Sequence, residues 1–229
     1  MHNTIWTEQQ SIGGGRIRAR WQNIPPHTLG QFFLLDVGWT APIPIFPGET
    51  TATGDGGAWV ELPPAHPAQP LLAVAAPLIA RGPFGKGVPA LVECQHLLIA
   101  SSTLPERVLP FAWAALARGA SVSILLGRPY PLAALPIAAE VYVGHIPNLL
   151  AQTPNWADGL LIQTEPWQQC LAFAQKSLCP SYICLPFSPP CGNGICASCA
   201  VQTQAGWQLT CQAGLILSAN TFPNSQTLF

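Results

Sequence analysis

Cys191-Gly192-Asn193-Gly194-Ile195-Cys196-Ala197-Ser198-Cys199 opens a run that ends at Cys211, with the spacing C-x4-C-x2-C-x11-C. Three thiolates bunched in one loop, with a fourth returned from a distance, is a ligand pattern of 2Fe-2S clusters. Gly192 and Gly194 admit positive φ, so backbone N–H groups can turn toward sulfur. Ala197, Ser198 and Ala200 are small enough for the chain to pass close to inorganic sulfide. Gln204-Ala205-Gly206-Trp207 can turn a hairpin that brings Cys211 back. Cys191, Cys196, Cys199 and Cys211 are therefore the candidate cluster ligands. Structural zinc also takes four cysteines, usually as two C-x2-4-C pairs, and stands as the competing reading. Disulfides or unligated thiols are the third.

Around that run, residues 177–229 contain no Asp, Glu, Lys, Arg or His. A cluster there has no local cation, so backbone amides would have to stabilise its negative charge. Burial would disfavour the more negative reduced form and lower the potential. An uncharged surface also suits docking on a partner, because interface cores are depleted in charge.

Over all 229 residues, 8 % are charged and 49 % hydrophobic, which excludes a disordered chain. The net charge of −1 leaves no basic excess for phosphates, so nucleic acid is not an expected partner. The 25 prolines favour short strands and loops over long helices. No signal-peptide pattern opens the chain. The apolar runs at 70–80 and 109–127 contain Pro77 and Arg118, and neither supplies the roughly 20 apolar residues of a membrane span. A cytoplasmic protein is expected. There, eight cysteines point to metal or redox use rather than disulfides. Cys94, Cys170, Cys179 and Cys184 are expected to be small buried hydrophobes on strands or helices.

Moving outward from the cysteines toward the N-terminus, residues 181–184, 159–162, 140–143, 121–126 and 96–100 are short strand candidates. Residues 104–118 read as a helix with Thr103 as N-cap, Gly119 as stop and Pro110 as a kink. Residues 166–176 read as a second helix. Strands and helices at this spacing form an α/β unit with a parallel sheet. Further upstream, residues 16–21 alternate at period two after a flexible break at Gly13-Gly14-Gly15. Residues 30–37, 59–62 and 71–79 add strands, and 48–57 is a loop. The fold class is thus α+β and multidomain. An antiparallel β-barrel spans 1–90, a parallel-sheet α/β domain like those that bind nucleotides spans 91–185, and a small 2Fe-2S domain spans 186–229.

The cysteine run, its hairpin and the C-x-x-G at Cys211 resemble the C-terminal domain of the electron-transfer subunit of class 1B dihydroorotate dehydrogenase. That family is a branch of the ferredoxin–NADP reductase superfamily. Gly30-Gln31-Phe32 resembles its P-G-Q-F strand start. Gly82-Pro83-Phe84-Gly85-Lys86-Gly87-Val88 resembles its G-P-L-G-x-G-F loop. The resemblance covers nearly the whole chain. It implies a flavin barrel, a nucleotide-binding domain and a 2Fe-2S domain, in the order read above. It also implies FAD beside Gly82, Pro83 and Gly85, a flavoprotein catalytic subunit as partner in a hetero-oligomer, and a place in pyrimidine biosynthesis.

The departures concern phosphate. The family's R-P-x-S, whose arginine meets the FAD pyrophosphate, is matched by Ala41-Pro42-Ile43-Pro44-Ile45-Phe46, without arginine or serine. Its G-x-G-T has no counterpart between Gly48 and Leu72. Its G-G-x-G-x-x-P is matched by Ala100-Ser101-Ser102-Thr103-Leu104-Pro105, without glycine, and its C-G-P by Thr164-Glu165-Pro166. FAD is left open and NAD(P) is not expected.

Three functions follow as expectations. The first is an electron-transfer protein or subunit that passes electrons between a partner flavoprotein and another carrier. The second is a structural or interaction protein held by zinc or an inert cluster. The third is a complete NAD(P)H-dependent flavin reductase. No acid–base pair, nucleophile triad or P-loop stands out, so no catalytic residue is assigned. His27, His66 and His96 are expected in loops or core. Arg81, Lys86 and Arg128 are the cations placed where a flavin or nucleotide phosphate would lie, with solvated surface charge as the default for each.

Overall fold

The computed structural model describes residues 1–38, 41–49, 57–73, 77–153 and 156–224. The first sheet has the strand order β4-β3-β6-β1-β2-β5. Its strands are β1 (His2–Gly13), β2 (Arg16–Gln22), β3 (Phe32–Asp36), β4 (Ile43–Ile45), β5 (Ala58–Leu62) and β6 (Leu78–Phe84). All of its pairings are antiparallel. The Gly48 N–H donates to the Trp59 carbonyl at 2.9 Å, so the chain just beyond β4 meets β5 and the sheet curls into a barrel. In β5, Ala58, Val60 and Leu62 are buried and the residues between them are not, the period-two signature of a half-buried strand. In β3 both faces are buried. Phe33 and Leu35 join Trp21 inside the barrel, while Phe32 and Leu34 point into a second core shared with the other sheet.

The α/β part alternates β7 (His96–Ser101), α1 (Leu109–Ala117), β8 (Ser121–Leu126), β9 (Glu140–Val143), α2 (Ile146–Gln152), β10 (Gly159–Gln163), α3 (Gln168–Lys176) and β11 (Ser181–Cys184). There follow the hairpin β12 (Ala200–Thr203) and β13 (Gly206–Leu209), the single turn α4 (Thr210–Ala213), and β14 (Ile216–Ser218). The second sheet runs β14-β11-β10-β7-β8-β9. Its pairings are parallel except β11 with β14. β14 lies beyond the cysteine run, so the last strand of the 186–229 segment is hydrogen-bonded to the central sheet. The architecture is the expected mixture of an antiparallel barrel and a mainly parallel sheet.

Several expectations are corrected. Gly13-Gly14-Gly15 is not a flexible break but the turn of a long β1–β2 hairpin, and β1 went unread. Only Thr4 and Ile12 of β1 are buried, so it carries no alternating apolar signal. Residues 71–79 are not one strand: Gln69–Ala73 is a 3-10 helix and β6 begins at Leu78. The helix read over 104–118 is shorter. Pro105–Arg107 forms a 3-10 turn, and α1 starts at Leu109 with Val108, not Thr103, at its N-cap. Pro110 sits in the first turn, where a missing N–H breaks no helical bond and causes no kink. Gly119 does stop the helix, at φ +84°. Cys170 in α3 and Cys184 in β11 are buried, but Cys94 and Cys179 are half-exposed loop residues. Burial, followed by the nearby Asp158 and Cys179, pushes the Cys94 thiol up to about 11. Most of the loop read over 48–57 lies outside the described residues. Among those described, no helix is long and apolar enough to cross a membrane.

Candidate metal centre

The loop after β11 carries Cys191, Cys196 and Cys199, and the β12–β13 hairpin delivers Cys211 at the start of α4. The hairpin turns at Gln204-Ala205, with Thr203 paired to Gly206. The Cys191 and Cys196 sulfurs stand 3.2 Å apart. Cys199 lies near enough to Cys211 to push its thiol up. Among the described residues no group of three or more His, Cys, Asp or Glu side chains is gathered closely enough to hold a metal ion. Cys191 and Cys196 form one close pair instead, and Cys199 neighbours Cys211. A zinc ion needs all four sulfurs about 2.3 Å from one point. A binuclear cluster needs two sulfurs at each of two points, and the Cys191–Cys196 pair has the closeness one such point requires.

The backbone also suits anionic sulfur. Gly192 and Gly194 lie at φ +72° and +83°. The resulting turn aims the N–H groups of Cys196, Asn193 and Gly194 at the Cys191 sulfur. The Cys191 thiol is pulled down to about 6, first by the Cys196 N–H and then by the Cys196 thiol. Cys211 is buried, and its thiol is pushed up to about 11 by burial and by Cys199. Cys199 and Cys211 face the core and Cys196 faces solvent. One residue before Cys211, the Thr210 hydroxyl is buried without a hydrogen-bond partner.

The barrel holds this loop. Arg81 Nη1 of β6 donates to the Cys191 carbonyl at 2.8 Å. The expected absence of a cation near the cysteines is therefore corrected: none is local in sequence, but the fold brings one across. It also corrects Arg81 as a solvated surface charge. A Cβ on Gly192 would lie 2.7 Å from the Phe84 ring and 2.8 Å from Leu34, so only glycine lets the loop seat against β3 and β6. Gly82, Pro83 and Gly85 lie at the end of β6 and just past it. A Cβ on Gly85 would stand 2.7 Å from the Gly214 Cα, so this close approach couples the barrel to the turn after Cys211. Arg128 donates to the Thr103 carbonyl at 3.0 Å. Of the histidines, His27 Nε2 lies 2.9 Å from the Gly48 carbonyl and His96 packs edge-on to Trp156.

The loop after β7, where the resembled family binds a phosphate, is filled by a side chain. Gln163, wholly buried at the end of β10, accepts through Oε1 from Ser101 Oγ at 2.8 Å, Thr103 N at 3.2 Å and Leu104 N at 2.8 Å. Its Nε2 donates to Thr103 Oγ1 at 2.8 Å. The backbone donors that could meet a phosphate are thus already used. Sequence reading missed Gln163. Its one signal was a polar residue closing the apolar run Gly159–Gln163.

The barrel and the second sheet meet over buried charges. Arg16 Nη1 lies 3.3 Å from Glu106 and 3.6 Å from Glu61, and Arg18 lies 3.9 Å from Glu61. The Tyr130 hydroxyl donates to Glu61. Burial holds the Glu61 carboxyl above its ordinary range, against that hydrogen bond and the arginines. Arg107, buried and lowered by burial, donates to the Leu185 and Phe187 carbonyls. Two cavities open along this interface. One of about 200 Å³ lies between Ile43–Ile45 and Arg107, and one of about 480 Å³ lies between β5 and α1. Glu61 lines both. The first is smaller than ordinary ligand sites. Each of these three arginines is engaged, and Glu61 and Glu106 line the space, so the described residues of this interface do not fit the diphosphate of FAD.

No protein-family model matches the chain, and no curated protein matches it. Among solved structures it is similar to an NADH-dependent reduced ferredoxin-NADP oxidoreductase described for flavin-based electron bifurcation. The TM-score is 0.71 at 15 % identity, covering 100 % of this chain and 92 % of that one. It is also similar to a flavohemoglobin from Malassezia yamatoensis with bound FAD and heme. There the TM-score is 0.54 at 14 % identity, over 80 % of this chain and 60 % of that one. At such identities the likeness is one of fold.

Proposed function

We propose that the chain is an electron-transfer protein or subunit holding a 2Fe-2S cluster on Cys191, Cys196, Cys199 and Cys211. It would pass electrons between a partner flavoprotein and another carrier, as the electron-transfer subunit of class 1B dihydroorotate dehydrogenase does in the family it resembles. The observation that carries this is the C-x4-C-x2-C-x11-C spacing, with the Cys191 and Cys196 sulfurs 3.2 Å apart and Cys199 beside Cys211. One-electron carriage is the chemistry such a group supplies when bound. The chain's own contribution is to aim N–H groups at sulfur, bury one pair of thiols and leave the other near solvent.

The partner would meet the uncharged face around the loop. Ile195 is 83 % exposed and Trp207 72 % exposed. Leu209 packs near Gly194, and Trp207, two residues earlier on β13, shares its face of the hairpin. In this reading the partner resembles the flavoprotein catalytic subunit, the pair forms a hetero-oligomer, and the chain works reduced in the cytoplasm.

Anaerobic purification with iron, acid-labile sulfide and zinc measured on one sample tests the proposal. About two irons and two sulfides per chain, with an EPR signal on reduction, are expected. Cys196→Ser should remove the signal and Cys94→Ser should keep it. Stoichiometric zinc without sulfide would overturn the reading.

A further inference from the structure

The larger interface cavity measures about 480 Å³. Small-molecule sites span roughly 300–1,000 Å³. One wall is Trp59 of β5; the other is Leu109, Trp113 and Ala114 of α1. Ala114 and Ala117 keep the helix side of the cavity open. Trp113 stays 41 % exposed, although neighbouring Phe111, Ala112 and Ala115 of the same helix are buried. An apolar ligand covering that indole would remove it from water.

The wall is fixed in place. The Arg18 guanidinium lies 5.0 Å from the Trp113 ring centroid. Arg18 is itself held by the Ala134 carbonyl at 3.0 Å and faces Glu61 at 3.9 Å. Toward the rim, Arg118 pairs with Glu49 at 2.6 Å. Each positive group near the cavity is therefore offset by a carboxylate. An anion would face Glu61 and Glu49, and a cation would face Arg18 and Arg118. A lining with two indoles and balanced charge selects an aromatic ligand without net charge.

We propose that the cavity between the barrel and α1 binds an uncharged, planar aromatic molecule of two or three fused rings. The site lies away from Gly82, Pro83 and Gly85 and does not depend on a cluster at the cysteines.

Equilibrium dialysis of the full chain against riboflavin, FAD and menadione, with flavin fluorescence as a second readout, tests this. Riboflavin is the uncharged three-ring probe, FAD adds a diphosphate to the same ring, and menadione is an uncharged two-ring probe. Saturable riboflavin binding at one per chain is expected, displaced by menadione, with FAD about tenfold weaker or worse. Trp113→Ala removes a stacking face and Ala117→Trp fills the space from an exposed position. Each should weaken riboflavin about tenfold, while Trp207→Ala, on the distant hairpin, should leave it unchanged. Circular dichroism shows whether each variant folds, and either one alone suffices. FAD binding as tightly as riboflavin would overturn the proposal. So would the absence of saturable binding of both uncharged probes, or unchanged affinity in a folded cavity variant.

Discussion

Replacing Gln163 with Met would keep the length of the side chain and remove all four of its hydrogen bonds. Gln163 is wholly buried, and its Oε1 takes the Ser101 hydroxyl and the N–H groups of Thr103 and Leu104. The Ser101 and Thr103 hydroxyls can rotate toward other acceptors. The two backbone N–H groups cannot, although Thr103 and Leu104 are only half-buried and water can reach them in part. An orphaned buried donor costs about 1–3 kcal/mol. Taking the lower half of that range for each N–H, and subtracting about 1 kcal/mol for the added apolar surface, leaves a net loss of about 2 kcal/mol. That is a large share of the roughly 5–15 kcal/mol that holds a domain folded. Urea unfolding at pH 7 measures it: the midpoint should fall while the slope stays constant. A loss below about 0.5 kcal/mol would show that Gln163 is not what satisfies this loop, and would refute the account of a phosphate site closed from within.

Arg81→Gln should lower the midpoint potential of the cysteine centre with its iron content unchanged. A half-exposed unit charge at such short range is worth ~1 kcal/mol, which is ~40 mV for a one-electron couple; an unchanged or higher potential in a redox titration would refute the clamp. His66 is lowered from 6.5 to about 4, first by burial and then by Arg107. Its contribution to stability is therefore complete above pH 6.5 and is lost as pH falls through about 4. It amounts to ~2 kcal/mol after discounting partial exposure, and protonation would also break the bond from the Ala68 N–H. Urea midpoints measured from pH 7 to pH 4 should fall less steeply in His66→Gln than in the natural chain; parallel profiles would refute the assignment.

Part of the chain was legible locally. The period-two pattern read over 16–21 depends on burying one face of a strand, and in β2 it buries Ala19 and Trp21. The apolar runs of β7, β8, β10 and β11 are buried on both faces and are dense in Leu, Ile and Val for that reason. β1 failed because most of it faces water, and its place in the sheet comes from hydrogen bonds to β2 and β6 rather than from its side chains. Thr103 failed as a cap because Gln163, 60 residues away, had already taken its N–H and hydroxyl.

By itself, the sequence determined the strand types, the order of barrel and parallel sheet, and the thiol loop with the glycines that let it turn. These are properties of spacing and of single residues, so they survive without coordinates. Only the tertiary structure decided how the thiols pair, that Arg81 reaches the Cys191 carbonyl across 110 positions, and that Gln163 closes the loop after β7. It also decided that the arginines at the barrel interface are engaged while a cavity opens beside α1. Each of these is a meeting of residues far apart in the chain. Their partners are set by the packing of one sheet on another, which no local pattern records.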